Sequence, residues 1–237
     1  MIASDDTKQI VQADVENRAQ QSLGASSEPV YQMVSRTLAQ QYSGNGVLVD
    51  VGCGSGKLWS FVGDRFNHYI GVDAVRYADL PADTEFIPFN LDVGKAPLPD
   101  GCADVVCAVE IIEHLENPRA FVRELVRLTK PGGLVIVTTP NQLSLLSKLT
   151  LILKNQFNAF QEAPGLYPAH ITALLEIDFY RIYTECNLTD LQIQYSNYGR
   201  IPFTSWHWPE NLGFRGQAFS DNILCVGQKP KVQIYTI

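Results

Sequence analysis

The chain has 237 residues, 46% of them hydrophobic, enough to fill one sizeable core. Its formal net charge of −7 disfavours a nucleic-acid-binding surface. Its polar, acidic beginning lacks the pattern of a signal peptide, and no apolar run nears the ~18 residues of a membrane span, so the cytoplasm is the expected compartment. Five cysteines without a C-x-x-C pair indicate neither a disulfide framework nor a zinc site.

Residues 5–22 fit a polar helix and 28–42 an amphipathic one, with Val30, Val34 and Leu38 at i, i+4, i+8. The Gly24-Ala25-Ser26-Ser27 break separates them, and Ser43-Gly44-Asn45-Gly46 is a turn cluster. The β-branched run Val47-Leu48-Val49-Asp50-Val51 then reads as a buried parallel strand. Gly52-Cys53-Gly54-Ser55-Gly56 follows as a glycine loop, and Lys57 to Phe66 as a helix whose N–H groups would point back at the loop. Strand, loop and helix predict a nucleotide-type corner.

Three ligands compete for such a corner. A P-loop needs a glycine where Val51 stands and a Ser or Thr where Leu58 stands. A dinucleotide loop needs G-x-G-x-x-G, whereas this one is G-x-G-x-G. Asp50 would repel a pyrophosphate and attract an ammonium group, which S-adenosylmethionine carries beside its sulfonium. S-adenosylmethionine is therefore the expected cofactor.

The loop resembles motif I of the class I S-adenosylmethionine-dependent methyltransferases. The resemblance continues through Tyr69-Ile70-Gly71-Val72-Asp73, a second strand ending in an acid 21 residues after Gly52 that can accept ribose hydroxyls. Phe86 to Asp92 is similar to the family's third strand and following loop, with Asp92 implied at the adenine amino group. Asp104 to Glu110 resembles the fourth strand, and Lys130 to Val137 the turn into the fifth. The implied cofactor set is Asp50, Gly52, Gly54, Gly56, Asp73, Asp92 and Glu110. The implied fold is α/β: a doubly wound, mostly parallel seven-stranded sheet with helices on both faces and an antiparallel last strand. One domain is expected over 1–237, with an arm (1–27), a cofactor-binding core (28–140), a lid (141–171) and a C-terminal part of the sheet (172–237).

Farther along, Asn117-Pro118 begins a helix with Phe121, Leu125 and Leu128 on one face, and Pro131-Gly132-Gly133 is expected to end it. Thr138 to Asn141 closes the fifth strand. Leu145, Leu146, Leu149, Ile152 and Leu153 form an apolar stripe between Lys148 and Lys154, read as a lid helix over the substrate pocket, with a membrane-surface helix as its rival. Ile171 to Cys186 reads as a helix closed by Asn187, and Leu191 to Tyr195 and Asn222 to Gly227 as the last two strands, which the resemblance makes an antiparallel edge hairpin. Phe203, Trp206, Trp208 and Phe214 are expected to pack among themselves in a loop, a substrate wall being the alternative.

Methyl transfer from a sulfonium is an in-line displacement, so the protein mainly positions the acceptor and excludes water. A helical turn after the fourth strand would bring Glu110, Glu113 and His114 to one face. Glu113-His114-Leu115-Glu116-Asn117-Pro118 resembles a signature of small-molecule methyltransferases, among them the ubiquinone-biosynthesis O-methyltransferase group, which makes His114 the candidate base or acceptor contact. The same E-x-x-E-H pattern resembles the small-RNA 3′-terminal 2′-O-methyltransferases, which implies a divalent metal on Glu110, Glu113, His114 and His170. Acidic charge and the lack of basic runs favour the metal-free reading. The expected function is methyl transfer to an O or N of a small molecule. The alternatives are a metal-assisted RNA-end methyltransferase and a cofactor-binding protein without catalysis.

Overall fold

The computed structural model describes residues 24–163, 165–209 and 212–231. The helix expected over 5–22 lies outside them. The described chain runs α1 (Glu28–Gln41), β1 (Val47–Val51), α2 (Trp59–Val62), β2 (His68–Asp73), β3 (Glu85–Pro88), β4 (Ala103–Val109), α3 (Pro118–Leu128), β5 (Thr129–Pro140), α4 (Leu145–Lys154), α5 (Glu176–Glu185), β6 (Thr189–Tyr195) and β7 (Asn222–Gln228).

The seven strands form one sheet in the order β3-β2-β1-β4-β5-β7-β6. Strands β1 to β5 pair in parallel, and β7 is antiparallel to both β5 and β6, so the expected doubly wound sheet with its antiparallel edge is present. Alternation along each strand divides the core in two. Val49, Val51, Val72, Val106, Ala108, Val135 and Val137 pack with Phe121, Leu125 and Leu128 of α3 and with Phe179, Ile182 and Tyr183 of α5. Their neighbours Leu48, Val105, Cys107, Leu134 and Ile136 point the other way, onto Val30, Met33, Val34 and Leu38 of α1 and Leu58 and Val62 around α2. Each of these fully buried aliphatic side chains stabilises the fold by about 1.5–3 kcal/mol.

Chain order reverses between β1 and β4, with β2 and β3 to one side and β5 to the other. A doubly wound sheet opens a crevice at that reversal, beyond the C-terminal ends of its strands. Every functional candidate from Asp50 to Glu113 sits at one of those ends.

Several expected boundaries differ. The helix after the glycine loop is one short turn, Trp59–Val62, continued as a 3₁₀ turn over Gly63–Arg65. Helix α3 starts as expected, the Asn117 side chain accepting the Ala120 N–H at 3.0 Å with Pro118 in the first turn. It stops at Leu128, before Pro131, because Thr129 turns extended and its hydroxyl donates to the Leu125 carbonyl. Pro131-Gly132-Gly133 thus lies in the opening part of β5, not at the helix end. Helix α5 begins at Glu176 instead of Ile171, since the Ile171 and Thr172 N–H groups both donate to the Glu113 carbonyl. Asn187 takes the expected left-handed conformation.

Candidate functional site

At the sheet reversal lies a cavity of about 300 Å³, lined by Asp50, Gly52, Gly54, Asp73, Asp92, Glu110, Glu113, His114 and His170 among others. Of the expected cofactor set only Gly56 does not line it. A Cβ on Gly56, whose φ is +73°, would press on Leu80, so this glycine serves packing beneath the loop. Added side chains at the other two would also meet protein: Gly52 faces Ile111, and Gly54 faces the Gly24 carbonyl.

The backbone of the loop decides which ligand it suits. The Gly52 and Cys53 N–H groups donate to the Val72 carbonyl, Gly54 N–H to Asp73 Oδ2, Ser55 N–H to the Gly24 carbonyl and Gly56 N–H to the Cys53 carbonyl. All five amides are consumed inside the protein. A phosphate cradle needs such donors turned toward the ligand. Instead the cavity presents carboxylates. Asp50 is buried, its Oδ2 accepting the Tyr69 hydroxyl at 2.8 Å while Oδ1 has no partner. Burial pushes its carboxyl up to about 7. Asp73, holding the Gly54 and Val75 N–H groups, is likewise raised by burial. A site with spent donors and desolvated acids suits a cation far better than an anion. The ammonium of S-adenosylmethionine meets that requirement, with Asp50 and Asp73 as the acids nearest the loop.

The expected helical turn after β4 is tighter than supposed. Glu110 adopts φ 51°, and Ile112–His114 form a 3₁₀ turn. Glu110, Glu113 and His114 nonetheless converge on the cavity. Glu110 Oε2 accepts the Asn222 amide at 2.7 Å, tying β7 to the site, and burial raises its carboxyl to about 7. Glu113 is fully buried and held well above the carboxylate range by burial and by Glu110 beside it. Its Oε2 accepts the Thr139 hydroxyl at 3.1 Å, and its Oε1 has no hydrogen-bond partner.

His114 Nδ1 lies 3.0 Å from the Ala169 carbonyl and His170 Nδ1 2.9 Å from the Ala159 carbonyl. A carbonyl only accepts, so both Nδ1 atoms carry a proton, and in its neutral form each ring would hold its lone pair on Nε2. The two rings meet edge-on with centroids 4.7 Å apart, and His170 Nε2 stands 3.9 Å from Glu113 Oε1. One ligand atom from each of Glu113, His114 and His170 falls within 4.8 Å of the others. Burial lowers the proton affinity of His170.

The segment 141–171 contributes to two cavities. Leu166 and His170 line the cavity, whereas α4 borders a second, adjoining one of about 310 Å³ through Ser144, Leu146 and Ser147. The aromatic loop packs as expected for Trp208 and Phe214, which meet each other at 5.1 Å and both touch Phe219. Phe203 and Trp206 are exposed, and none of the four lines either cavity.

Sequence reasoning missed the strap Gly24–Ser27, which lines the cavity and is fixed by the Ser55 N–H and by Ser26 N–H donating to the Tyr31 hydroxyl. It also missed Tyr69 beneath Asp50 and Asn222 beside Glu110. Only Asn222, a polar residue opening an apolar strand, carried a signal in the sequence.

Residues 49–137 match the family model described as "Methyltransferase domain". Over 117 residues the chain is 31% identical to a probable S-adenosylmethionine-dependent methyltransferase of Mycolicibacterium smegmatis, covering 48% of this chain and 45% of that protein. It is 32% identical over 113 residues to the ubiquinone biosynthesis O-methyltransferase of Maricaulis maris, covering 44% of each. The chain thus spans less than half the length of these relatives. In fold it is similar to a 1,6-didemethyltoxoflavin-N1-methyltransferase of Burkholderia thailandensis, with a TM-score of 0.62 at 11% identity over 97% of this chain and 92% of that one. Residues 49–137 are a methyltransferase domain, and the chain resembles the S-adenosylmethionine-dependent methyltransferases.

Proposed function

We propose that this chain transfers a methyl group from S-adenosylmethionine to an oxygen or nitrogen of a small molecule. The observation that carries the reading is the glycine loop itself: its five amides are spent internally, while Asp50, which lines the cavity, keeps a buried oxygen without a hydrogen-bond partner. Bound S-adenosylmethionine supplies an activated methyl group. In this reading Asp50 faces the ammonium, Asp73 the ribose and Asp92 the adenine side, and Gly52 and Gly54 keep the loop close-packed. The Glu116 N–H donates to Asp92 Oδ1 at 2.8 Å and holds that carboxylate at the rim. His114 contributes a lone pair on Nε2 to orient the acceptor or take its proton. The Maricaulis relative is named for ubiquinone biosynthesis and the Burkholderia structure holds 1,6-didemethyltoxoflavin beside S-adenosylhomocysteine, which supports a small-molecule acceptor here. Calorimetry with S-adenosylhomocysteine should give micromolar affinity, about −8 kcal/mol, while NAD gives no heat. Binding of NAD alone would overturn the reading.

A second reading is favoured by Glu113, His114 and His170. Two imidazoles whose Nδ1 protons are held by backbone carbonyls, beside a buried carboxylate oxygen without a hydrogen bond, are a chemically suitable set for a divalent cation. Such an ion would polarise an acceptor hydroxyl, as in a metal-assisted methyltransferase of RNA ends. Zinc or manganese titration of the native protein and of Glu113→Gln separates the readings. Tight binding lost in Glu113→Gln, with methyl transfer dependent on the metal, would replace His114 as base by the ion.

A further inference from the structure

The two cavities meet at Ser27, Leu166, His170 and Asn222, yet their linings differ in kind. The first collects the carboxyl groups of Asp50, Asp73, Asp92, Glu110 and Glu113. Among the described residues that line the second, Arg200 and Asp221 carry opposite charges and pair at 3.0 Å. Burial favours the neutral form of His170. Apart from Pro140, Leu146, Ala159, Gly165 and Leu166, every residue of this lining has a polar side chain. The second cavity is therefore polar without being charged.

Some of its polar groups are already spent. The Asn141 amide donates to the Gln217 and Ser220 carbonyls, and its oxygen accepts the Leu143 N–H. Gln142 donates to the Pro140 carbonyl and accepts the Ser147 hydroxyl. Others are not. Asn158 is only 7% exposed, and its hydrogen bonds run through the main chain: its N–H reaches Ser147 Oγ and its carbonyl accepts the Gln161 amide. Its side-chain amide meets no partner among the described residues. Ser144 Oγ accepts the Ser147 N–H, but its own proton has no acceptor there. Tyr198 stacks on His207 at 4.2 Å with its hydroxyl likewise unmet. A buried amide is costly to leave without a partner. A ligand that both donates and accepts removes that cost.

We propose that the second cavity binds the methyl acceptor, and that this acceptor is a neutral polyhydroxylated molecule, a saccharide or polyol, held by Asn158, Ser144 and Tyr198. A hydroxyl group donates and accepts at once, as this lining requires. A phosphorylated or carboxylated acceptor finds its natural partner, Arg200, already bonded to Asp221. A planar phenol finds few apolar walls, since Phe203, Trp206, Trp208 and Phe214 line neither cavity. The inference rests on the proposed methyl transfer. In that reaction one acceptor oxygen bonds the methyl carbon as the carbon–sulfur bond breaks. The electron pair goes to sulfur and the hydroxyl proton to Nε2 of His114.

The test is saturation-transfer NMR on the full chain without cofactor, using glucose, trehalose and myo-inositol as probes beside catechol and glucose 6-phosphate. At least one of the neutral polyols should receive saturation, and more strongly than catechol or the phosphate ester. Asn158→Leu should weaken that binding roughly tenfold, and Tyr198→Phe roughly threefold to tenfold, as lost hydrogen bonds. Asn158→Leu should not lower the melting temperature, because the amide it removes bonds nothing in the fold. A fall in melting temperature with polyol binding intact would make Asn158 structural and overturn the proposal. So would preference for catechol or for glucose 6-phosphate, or no transfer to any polyol. S-adenosylhomocysteine affinity is measured separately: its loss overturns the methyl-transfer reading, whereas its presence without polyol binding overturns only this one.

Discussion

His114 donates from Nδ1 to the carbonyl of Ala169, a residue 55 positions later, at 3.0 Å. The contact fixes the ring's tautomer and joins the turn after β4 to the segment before α5. His114→Ala should lower turnover roughly 10²–10⁴-fold if Nε2 takes the acceptor proton, with cofactor affinity nearly unchanged. His114→Asn is the sharper variant, because its amide can keep the Ala169 bond but offers no base. Steady-state kinetics in which Asn restores turnover would make His114 a positioning residue.

If Asp50 faces the cofactor's ammonium, as proposed, cofactor binding should depend on pH. Burial lifts its carboxyl from 3.8 to about 7, so the ligand-free fold holds a proton that the unfolded chain has lost. Its contribution to stability is greatest below the ordinary carboxylate range, falls as pH rises toward 7 and levels off above it. A bound ammonium favours the charged form and expels the proton. Affinity for S-adenosylhomocysteine should therefore rise up to tenfold per unit between about pH 5.5 and 7, then flatten. Calorimetry in buffers of different ionisation enthalpy reads the released proton directly, and Asp50→Asn should abolish the release.

Gly54 has φ 51° and faces the Gly24 carbonyl, whereas Gly94 has φ 74° with open space where a Cβ would go. Gly54→Ala should displace the strap and weaken cofactor binding more than tenfold. Gly94→Ala should cost only its backbone strain, about 1 kcal/mol, in thermal stability. Similar affinities for the two variants would mean that the strap does not cover the cofactor.

Asp73 accepts the Gly54 N–H at 2.9 Å and the Val75 N–H at 3.3 Å, so it shapes the loop even before a ligand arrives. Asp73→Ala should cost about 1–3 kcal/mol in cofactor affinity and also lower the melting temperature. An affinity loss without any loss of stability would assign the residue to the ribose alone.

The sheet was legible because each strand declares itself locally. Val47 to Val51 is β-branched and continuous, and Gly52 to Gly56 can only be a loop. Asn117-Pro118 carries its helix start within two residues. Relations across the chain were not legible in the same way. Nothing near Gly24 says that its carbonyl will bond Ser55, and nothing in Tyr69 says that its hydroxyl will hold Asp50. The stripe of α4 was visible as periodicity, but periodicity does not say which side the rest of the protein will cover. Ser147 and Thr150 went inward because Gln142 and the helix backbone could satisfy them. Glu113 and His170 had chemistry apparent in their side chains, while their 3.9 Å approach depends on Ile171 and Thr172 docking onto the Glu113 carbonyl.

Asn222 opens β7, which lies between β5 and β6, and its amide reaches Glu110 at 2.7 Å. During synthesis the glycine loop and the first five strands therefore emerge well before the wall that closes their crevice. A nascent chain halted short of residue 222 would leave β5 as a raw sheet edge, open to pairing with another chain. A growing polypeptide thus has no finished pocket to offer before β7 has been made.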